Sequence, residues 1–258
     1  MIRTNSNRST GHARLRGQCL DPGNALLKAL LFDVDGTIAE TEEAHRQAFN
    51  EAFAFHGIDV HWSRERYREL LRTTGGKERI LADFASRGEE IDVALVVSLH
   101  KRKNAIYASH VLEGRVPLRP GVLELMDEAR ASGLKLGVAT TTSRANVEVL
   151  FDSTLGPQWR DWFSCCIAGD EVARKKPAPD VYLAALAALG LEGGEALAIE
   201  DSAAGVASAR AAGLAVVATP SAYTQDEDFG AATIVLADLG GAGLDQLRFS
   251  QTGGLRTC

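Results

Sequence analysis

The apolar run Ala29-Leu30-Leu31-Phe32 leads directly into Asp33-Val34-Asp35-Gly36-Thr37. Consecutive apolar residues without polar alternation read as a strand buried on both faces, and such strands belong to parallel sheets covered by helices on either side. In an open α/β sheet the ligand crevice lies outside the carboxyl ends of the strands. Two carboxylates stand at that end here. The alternative is that both are solvated aspartates in a turn capping the next helix, so the other strand ends decide the matter.

Short apolar stretches recur at Leu134 to Ala139, Phe163 to Ala168, Ala196 to Ile199, Leu214 to Ala218 and Thr233 to Leu236. Helical patterns separate them, at Pro120-Gly121 to Ser132-Gly133, Arg144 to Phe151, Asp180 to Leu189 and Ala203 to Ala212. Strands alternating with helices predict an α/β fold, a Rossmann-like doubly wound parallel sheet. Between Thr37 and Pro117 the texture differs. Ala44, Ala48, Phe49, Ala52 and Phe53 form the stripe of an amphipathic helix over Glu42 to Phe55, and residues 64–110 continue as charged helical segments broken at Gly75-Gly76 and Gly88. This block predicts a helical insertion at 38–116 in a core formed by 26–37 and 117–245, with tails at 1–25 and 246–258.

At 258 residues and 45% hydrophobic content the chain can bury such a core. Its net charge of −6 argues against a nucleic-acid surface, which needs a clustered cationic face. Cys19, Cys165, Cys166 and Cys258 have neither metal-site nor disulfide spacing, and read as reduced thiols. No apolar run reaches membrane-spanning length. The expectation is a soluble, cytoplasmic protein with a small-molecule partner and no nucleic-acid or membrane partner. Residues 1–20 carry Arg3, Arg8, Arg14 and Arg16 with no acid before Asp21. They read as a disordered tail or mis-assigned start, or alternatively as an organelle transit peptide.

Four strand ends carry chemistry: Asp33 and Asp35, then Thr140, then Lys175-Lys176-Pro177, then Glu200-Asp201. Each type has a task in phosphoryl transfer. A carboxylate at Asp33 can attack phosphorus and form an aspartyl-phosphate, dividing one hard displacement into two easier ones. Charge on the phosphoryl oxygens must be neutralised, which suits Mg²⁺, a cation that prefers oxygen ligands at about 2.0–2.1 Å. Asp33, Asp201 and the backbone carbonyl of Asp35 are its candidate ligands, with Glu200 acting through water. Lys176 supplies positive charge and the Thr140 hydroxyl a hydrogen bond. Asp35 remains as acid/base, a role worth about 10²–10⁴ in rate. A free Asp titrates near 3.9, so proton donation at neutral pH requires a raised pKa, for which Asp33 is the expected cause. Taken singly, Thr140 could merely cap a turn, Lys176 could be a solvated loop lysine, and Glu200-Asp201-Ser202 could be an N-cap. Taken together, they require four separate coincidences.

In this order, D-V-D-G-T, A-T-T-T-S at 139–143, K-K-P-A-P-D at 175–180 and I-E-D-S at 199–202 resemble the four motifs of the haloacid dehalogenase-like hydrolases, over roughly residues 28–240. The resemblance implies a Rossmann-like core, Mg²⁺ dependence, an aspartyl-phosphate intermediate and an α-helical cap domain in the insertion. The match to K-P-A-P-D, with the extended backbone that Pro177 imposes on its predecessor, favours Lys176 over Lys175. Dehalogenating members lack the second Asp of the first motif, and Asp35 is present.

The insertion resembles that of the subgroup holding β-phosphoglucomutase, phosphoglycolate phosphatase and the CbbY-type sugar-bisphosphate phosphatases. Thr41 and His45 share one helix face at i and i+4, toward the cleft, and Glu40 offers a polar partner for sugar hydroxyls. The glycines of Thr74-Gly75-Gly76-Lys77-Glu78-Arg79 let backbone approach a ligand closely. The resemblance places Lys77 where related enzymes grip the far phosphate or sugar end of the substrate; Arg79, for which a solvated helix face is the alternative, and Thr141 complete the candidate substrate-binding set. T-G-G-K-E-R-I resembles the CbbY type in particular, which removes one phosphate from xylulose 1,5-bisphosphate, an inhibitor of Rubisco. Sugar mutases of the subgroup usually carry arginine where Lys77 stands, which disfavours an isomerase. A non-catalytic sugar-phosphate sensor is the reading from another class. Members of this type are commonly monomers, which sets that expectation here.

Overall fold

Strands β1 (Ala29–Phe32), β2 (Lys135–Ala139), β3 (Phe163–Ile167), β4 (Ala196–Glu200), β5 (Ala215–Ala218) and β6 (Ile234–Val235) pair in parallel, in the order β3-β2-β1-β4-β5-β6. The chain starts at the sheet's centre, winds outward through β2 and β3, then returns beside β1 and winds the other way. The fold is therefore Rossmann-like and doubly wound, and the reversal on either side of β1 opens its ligand crevice there. The structure, a computed structural model, describes residues 27–251. The tail expected over 1–25 and residues 252–258, with Cys19 and Cys258, lie outside the described residues.

Helices α1 (Glu42–Phe55), α2 (Arg64–Leu70), α3 (Gly76–Ser86) and α4 (Val93–Leu112) fill the insertion. The core adds α5 (Val122–Ala131), α6 (Arg144–Thr154), the short α7 (Trp159–Trp162), α8 (Asp180–Leu189), α9 (Ala203–Ala211) and α10 (Leu244–Gln251). Alternation along β1 assigns its side chains to two layers. Leu30 and Phe32 join Leu136, Val138, Leu197 and Ile199 beneath residues of α5 and α6 such as Leu125, Met126, Leu150 and Phe151. Ala29 and Leu31 point the other way with Ala196, Ala198, Val216 and Ala218, against Val181, Tyr182, Leu186 and Val206 of α8 and α9. Both faces are covered, so the unbroken apolar strands are accounted for.

The limbs entering and leaving the insertion lie side by side. Ala39 bridges Leu118 in antiparallel fashion, Glu40 N donates to Pro117 O (3.3 Å) and Arg119 N to Ile38 O (2.9 Å). Beyond them Phe49, Phe53, Trp62, Tyr67, Ile80, Phe84, Val96 and Leu99 form a separate apolar cluster. The Trp62 indole N–H donates to the fully buried Asp83 at 2.8 Å, and Arg66 and Arg87 each reach that carboxylate at 2.6 Å. The insertion thus has its own core over the carboxyl edge of the sheet.

One boundary differs from the sequence expectation. Residues 246–251, expected in the tail, belong to α10, which runs to Gln251 and buries Leu244 and Leu247. Those two apolar residues, three apart, suffice to dock a single short helix.

Candidate active site

Asp33 N donates to Ile199 O (3.0 Å), which holds the first residue after β1 beside the end of β4. Pairing of Phe32 with Ile199 then brings Asp33 next to Glu200 and Asp201. Side-chain oxygens of these three buried carboxylates lie within 4.8 Å of one another. Burial, together with the charge of its neighbours, pushes Glu200 up to about 7 and Asp201 well above the usual carboxylate range. Burial also raises Asp33, against the pull of Lys176.

Lys176 is buried, with Nζ 2.6 Å from Asp33 Oδ1 and 2.6 Å from Glu200 Oε1. Burial works to strip its charge, but the two carboxylates outweigh that and hold it above the ordinary lysine range. Tyr182, from the first turn of α8, donates its hydroxyl to the same Glu200 oxygen at 2.5 Å. Glu200 Oε2 is buried with no hydrogen-bond partner among the described residues. Two glycines permit this crowding. A Cβ on Gly36 (φ +78°) would fall 2.1 Å from Asp201 Oδ2, and one on Gly205 1.9 Å from Glu200 Oε2. Three clustered carboxylates of which Lys176 pairs with two, with a buried oxygen left unpaired, suit a hard divalent cation that prefers oxygen ligands.

Asp35 faces elsewhere. Its Oδ1 lies 3.2 Å from His45 Nε2, and His45 Nδ1 lies 2.8 Å from Lys103 Nζ. Burial alone would raise Asp35, but His45, the adjacent Thr41 hydroxyl and Lys103 bring it down to about 2. The expectation that Asp33 raises the Asp35 pKa is thereby corrected, because Asp35 turns toward the insertion's cations and away from its neighbour in sequence. Burial and then the Lys103 charge lower His45 to about 4, and burial lowers Lys103 to about 7. Thr140 is buried, and its hydroxyl oxygen accepts from Thr142 N at 3.2 Å, which leaves its own O–H to donate.

A cavity of about 850 Å³ has Asp33, Asp35, Lys176, Asp201 and Thr141 on its core side, with Glu200, Tyr182 and Thr140 buried outside its lining. Arg72, Lys77, His100 and Lys103 line it from the insertion, beside Lys175 of the core. Lys175 pairs with Glu78 at 2.7 Å, whereas neither Arg72 nor Lys77 has a carboxylate partner among the described residues. Burial, then the charges of Lys103, Lys77 and Lys175, drives His100 down to about 3. The insertion is seated on the core here, since Thr74 Oγ1 donates to Lys176 O at 2.7 Å and Tyr223 donates its hydroxyl to Glu43.

Three expected substrate contacts are placed differently. Glu40 lies outside the cavity lining and pairs with Arg119 Nε at 3.1 Å. Arg79 lines the cavity but is 9% exposed, and it donates to Leu70 O (3.2 Å) and the Tyr67 hydroxyl (3.0 Å), bracing the insertion's core. Gly75 and Gly76 do line the cavity, and a Cβ on Gly76 would lie 2.5 Å from His100 Nε2. Thr41 is fully buried next to Asp35, off the cavity wall.

Lys103, His100, Glu42 and Tyr182 were not anticipated. Lys103 left a trace in the sequence, since it interrupts the apolar face Val96, Leu99, Tyr107 and Val111 of α4 at helical spacing. Glu42 lines the cavity, accepts from the Tyr67 hydroxyl at 2.8 Å and is raised to about 7, chiefly by burial.

Comparison with known proteins yields the same family as the motifs. The profile of the haloacid dehalogenase-like hydrolases matches residues 27–213. Protein CbbY of Rhodobacter capsulatus is 57% identical over 216 residues, covering 84% of this chain and 95% of that protein. Crystal structures of CbbY from Rhodobacter sphaeroides superpose with TM-scores of 0.82 for a phosphate complex and 0.83 for a point variant with xylulose-(1,5)bisphosphate. Both are 44% identical to this chain, covering 86% of it and 99% of their own length.

Proposed function

The chain belongs to the haloacid dehalogenase-like hydrolases and is a phosphoric monoester hydrolase, and we propose that it removes one phosphate from xylulose 1,5-bisphosphate with the help of Mg²⁺. The observation that carries this substrate is the arrangement of charge in one cavity. Asp33, Asp201 and Lys176 line its core side, while Arg72 and Lys77, without carboxylate partners among the described residues, reach it from the insertion. A monophosphate would use the first group and leave the second unpaired. A bisphosphate engages both, and a CbbY variant 44% identical to this chain has been crystallised with that sugar bisphosphate.

Asp33 is the nucleophile. Lys176 occupies its Oδ1, so Oδ2 attacks phosphorus, a P–O bond to Asp33 forms and the bond to the sugar oxygen breaks. Lys176 also neutralises charge on the phosphoryl oxygens, and the Thr140 hydroxyl donates to one of them. Mg²⁺ held by Asp33, Asp201 and the Asp35 carbonyl, with Glu200 close by, would supply the remaining positive charge. Asp35 moves the proton. Ionised and held by His45, it is ready to take a proton from the water that hydrolyses the aspartyl-phosphate. Donation to the leaving sugar oxygen requires the protonated form, which the negative charge of an arriving phosphate ester favours.

The full chain with Mg²⁺ should release phosphate from xylulose 1,5-bisphosphate far faster than from phosphoglycolate, and Asp33→Asn should abolish release. Conversion of β-glucose 1-phosphate to glucose 6-phosphate without net phosphate, with glucose 1,6-bisphosphate present, would replace this proposal with a mutase.

A further inference from the structure

Arg119 stands outside the roles assigned so far. It lies on the limb returning from the insertion, is 7% exposed, and gathers oxygens from two loops distant in sequence. Nη1 donates to Gly36 O in the loop after β1, and to Thr219 O (2.6 Å) and Thr219 Oγ1 (3.1 Å) after β5. Nη2 donates to Pro220 O at 2.9 Å, and Nε faces Glu40 at 3.1 Å.

Those two loops carry the carboxylate cluster. Gly36 follows Asp33 and Asp35, and its Cα packs against Asp201, while its carbonyl is held by Arg119. Beyond Thr219 and Pro220, the Thr224 hydroxyl donates to Asp201 O at 2.6 Å and lies 3.3 Å from Asp201 Oδ2. Ser221 N in turn donates to Thr224 Oγ1 at 2.8 Å. A single guanidinium therefore ties the loop bearing Asp33 to the loop that orients Asp201. Only a planar fork with several N–H donors can reach these carbonyls together; the single nitrogen of lysine cannot.

We propose that Arg119 is a positioning residue for the carboxylate cluster: it fixes the spacing between Asp33 and Asp201 and thereby sets the affinity for the divalent cation. This rests on the cation assignment made above. The test is calorimetric titration of the substrate-free full chain with Mg²⁺, for the wild type, Arg119→Lys, Arg119→Gln and Glu40→Gln, with circular dichroism to establish folding.

Arg119→Lys and Arg119→Gln should weaken Mg²⁺ binding by about 10- to 100-fold, the usual effect of removing a group that orients a metal ligand. At saturating Mg²⁺ their KM for the bisphosphate should stay near the wild-type value. Glu40→Gln should shift Mg²⁺ binding by less than about fivefold, as for a half-exposed ion pair. A folded Arg119→Lys that binds Mg²⁺ like the wild type would overturn the proposal while leaving the cation assignment intact. Failure of both Arg119 variants to fold would also overturn it, because the residue would then hold the fold as a whole. A wild type that binds no Mg²⁺ would overturn the cation assignment, and the proposal with it.

Discussion

Replacing Lys103 with methionine should separate catalysis from stability. Lys103 is 4% exposed and its Nζ lies 2.8 Å from His45 Nδ1. In its protonated form, which prevails below about pH 7, Lys103 has only donors, so it makes Nδ1 the acceptor and puts the ring proton on Nε2, facing Asp35 Oδ1 at 3.2 Å. Without Lys103 the other tautomer becomes available, and it sets two acceptors against each other. A hydrogen bond to a charged group contributes about 1.5–3 kcal/mol. If that bond acts on the reacting proton, kcat falls by about 10- to 150-fold. Stability should move the other way. Lys103 has no carboxylate ion pair among the described residues, and its nearest rings are Phe49 and Tyr107, at 5.0 and 5.3 Å. Methionine keeps the packing and removes a desolvated charge, so the variant should melt no lower than the wild type. Burial depresses Lys103 from 10.5 to about 7, so the unfolded chain binds the extra proton between those values. The wild type should therefore gain stability relative to Lys103→Met as pH rises from 7 toward 10.5. Steady-state kinetics and thermal melts across pH measure both effects. An unchanged kcat, or a loss of kcat matched by a lower Tm, would refute the tautomer argument.

Gly205→Ala should destabilise the protein, although alanine normally improves a helix by about 1 kcal/mol. Its Cβ would meet Glu200 Oε2 at 1.9 Å and displace a buried carboxylate from Lys176 and Tyr182, so thermal melts should show a loss of about 3 kcal/mol. Lys77→Ala should raise KM for the bisphosphate about 10- to 100-fold with little change in kcat, since a charged contact far from the reacting phosphorus is lost. An equal rise in KM for phosphoglycolate would contradict that. His100, lowered by burial and three lysines from 6.5 to about 3, binds its proton more readily in the unfolded chain, so the wild type loses stability as pH falls below 6.5. His100→Asn escapes this, and its stability relative to the wild type should be about 2 kcal/mol more favourable at pH 5 than at pH 7.5. A difference that does not vary with pH would remove His100 from the buried cationic group.

The parts of this site legible in the sequence are those where chemistry follows a buried strand within a residue or two. Asp33, Thr140, Glu200 and Asp201 each stand at the end of an apolar run, and parallel pairing forces such ends together. Lys176 was reachable through its proline and motif spacing. Legibility ended where a side chain's partner comes from another element. Adjacency in sequence predicts that Asp33 raises the Asp35 pKa, yet the chain has left strand geometry by then, and the carboxyl turns to His45, which Lys103 holds from behind. Glu40 read as a substrate contact because Arg119, which holds it, lies beyond the entire insertion. The same division separates two layers of function. The core side of the cavity is built from strand ends whose spacing the sheet itself imposes, so it can change little without losing the phosphoryl chemistry. The insertion side is built from α1, α3, α4 and the loop that carries Arg72, and these rest on a separate apolar cluster. On the proposed reading, substitutions at Arg72, Lys77 or His100 should therefore alter which phosphate ester is accepted while Asp33, Lys176, Glu200 and Asp201 keep their places.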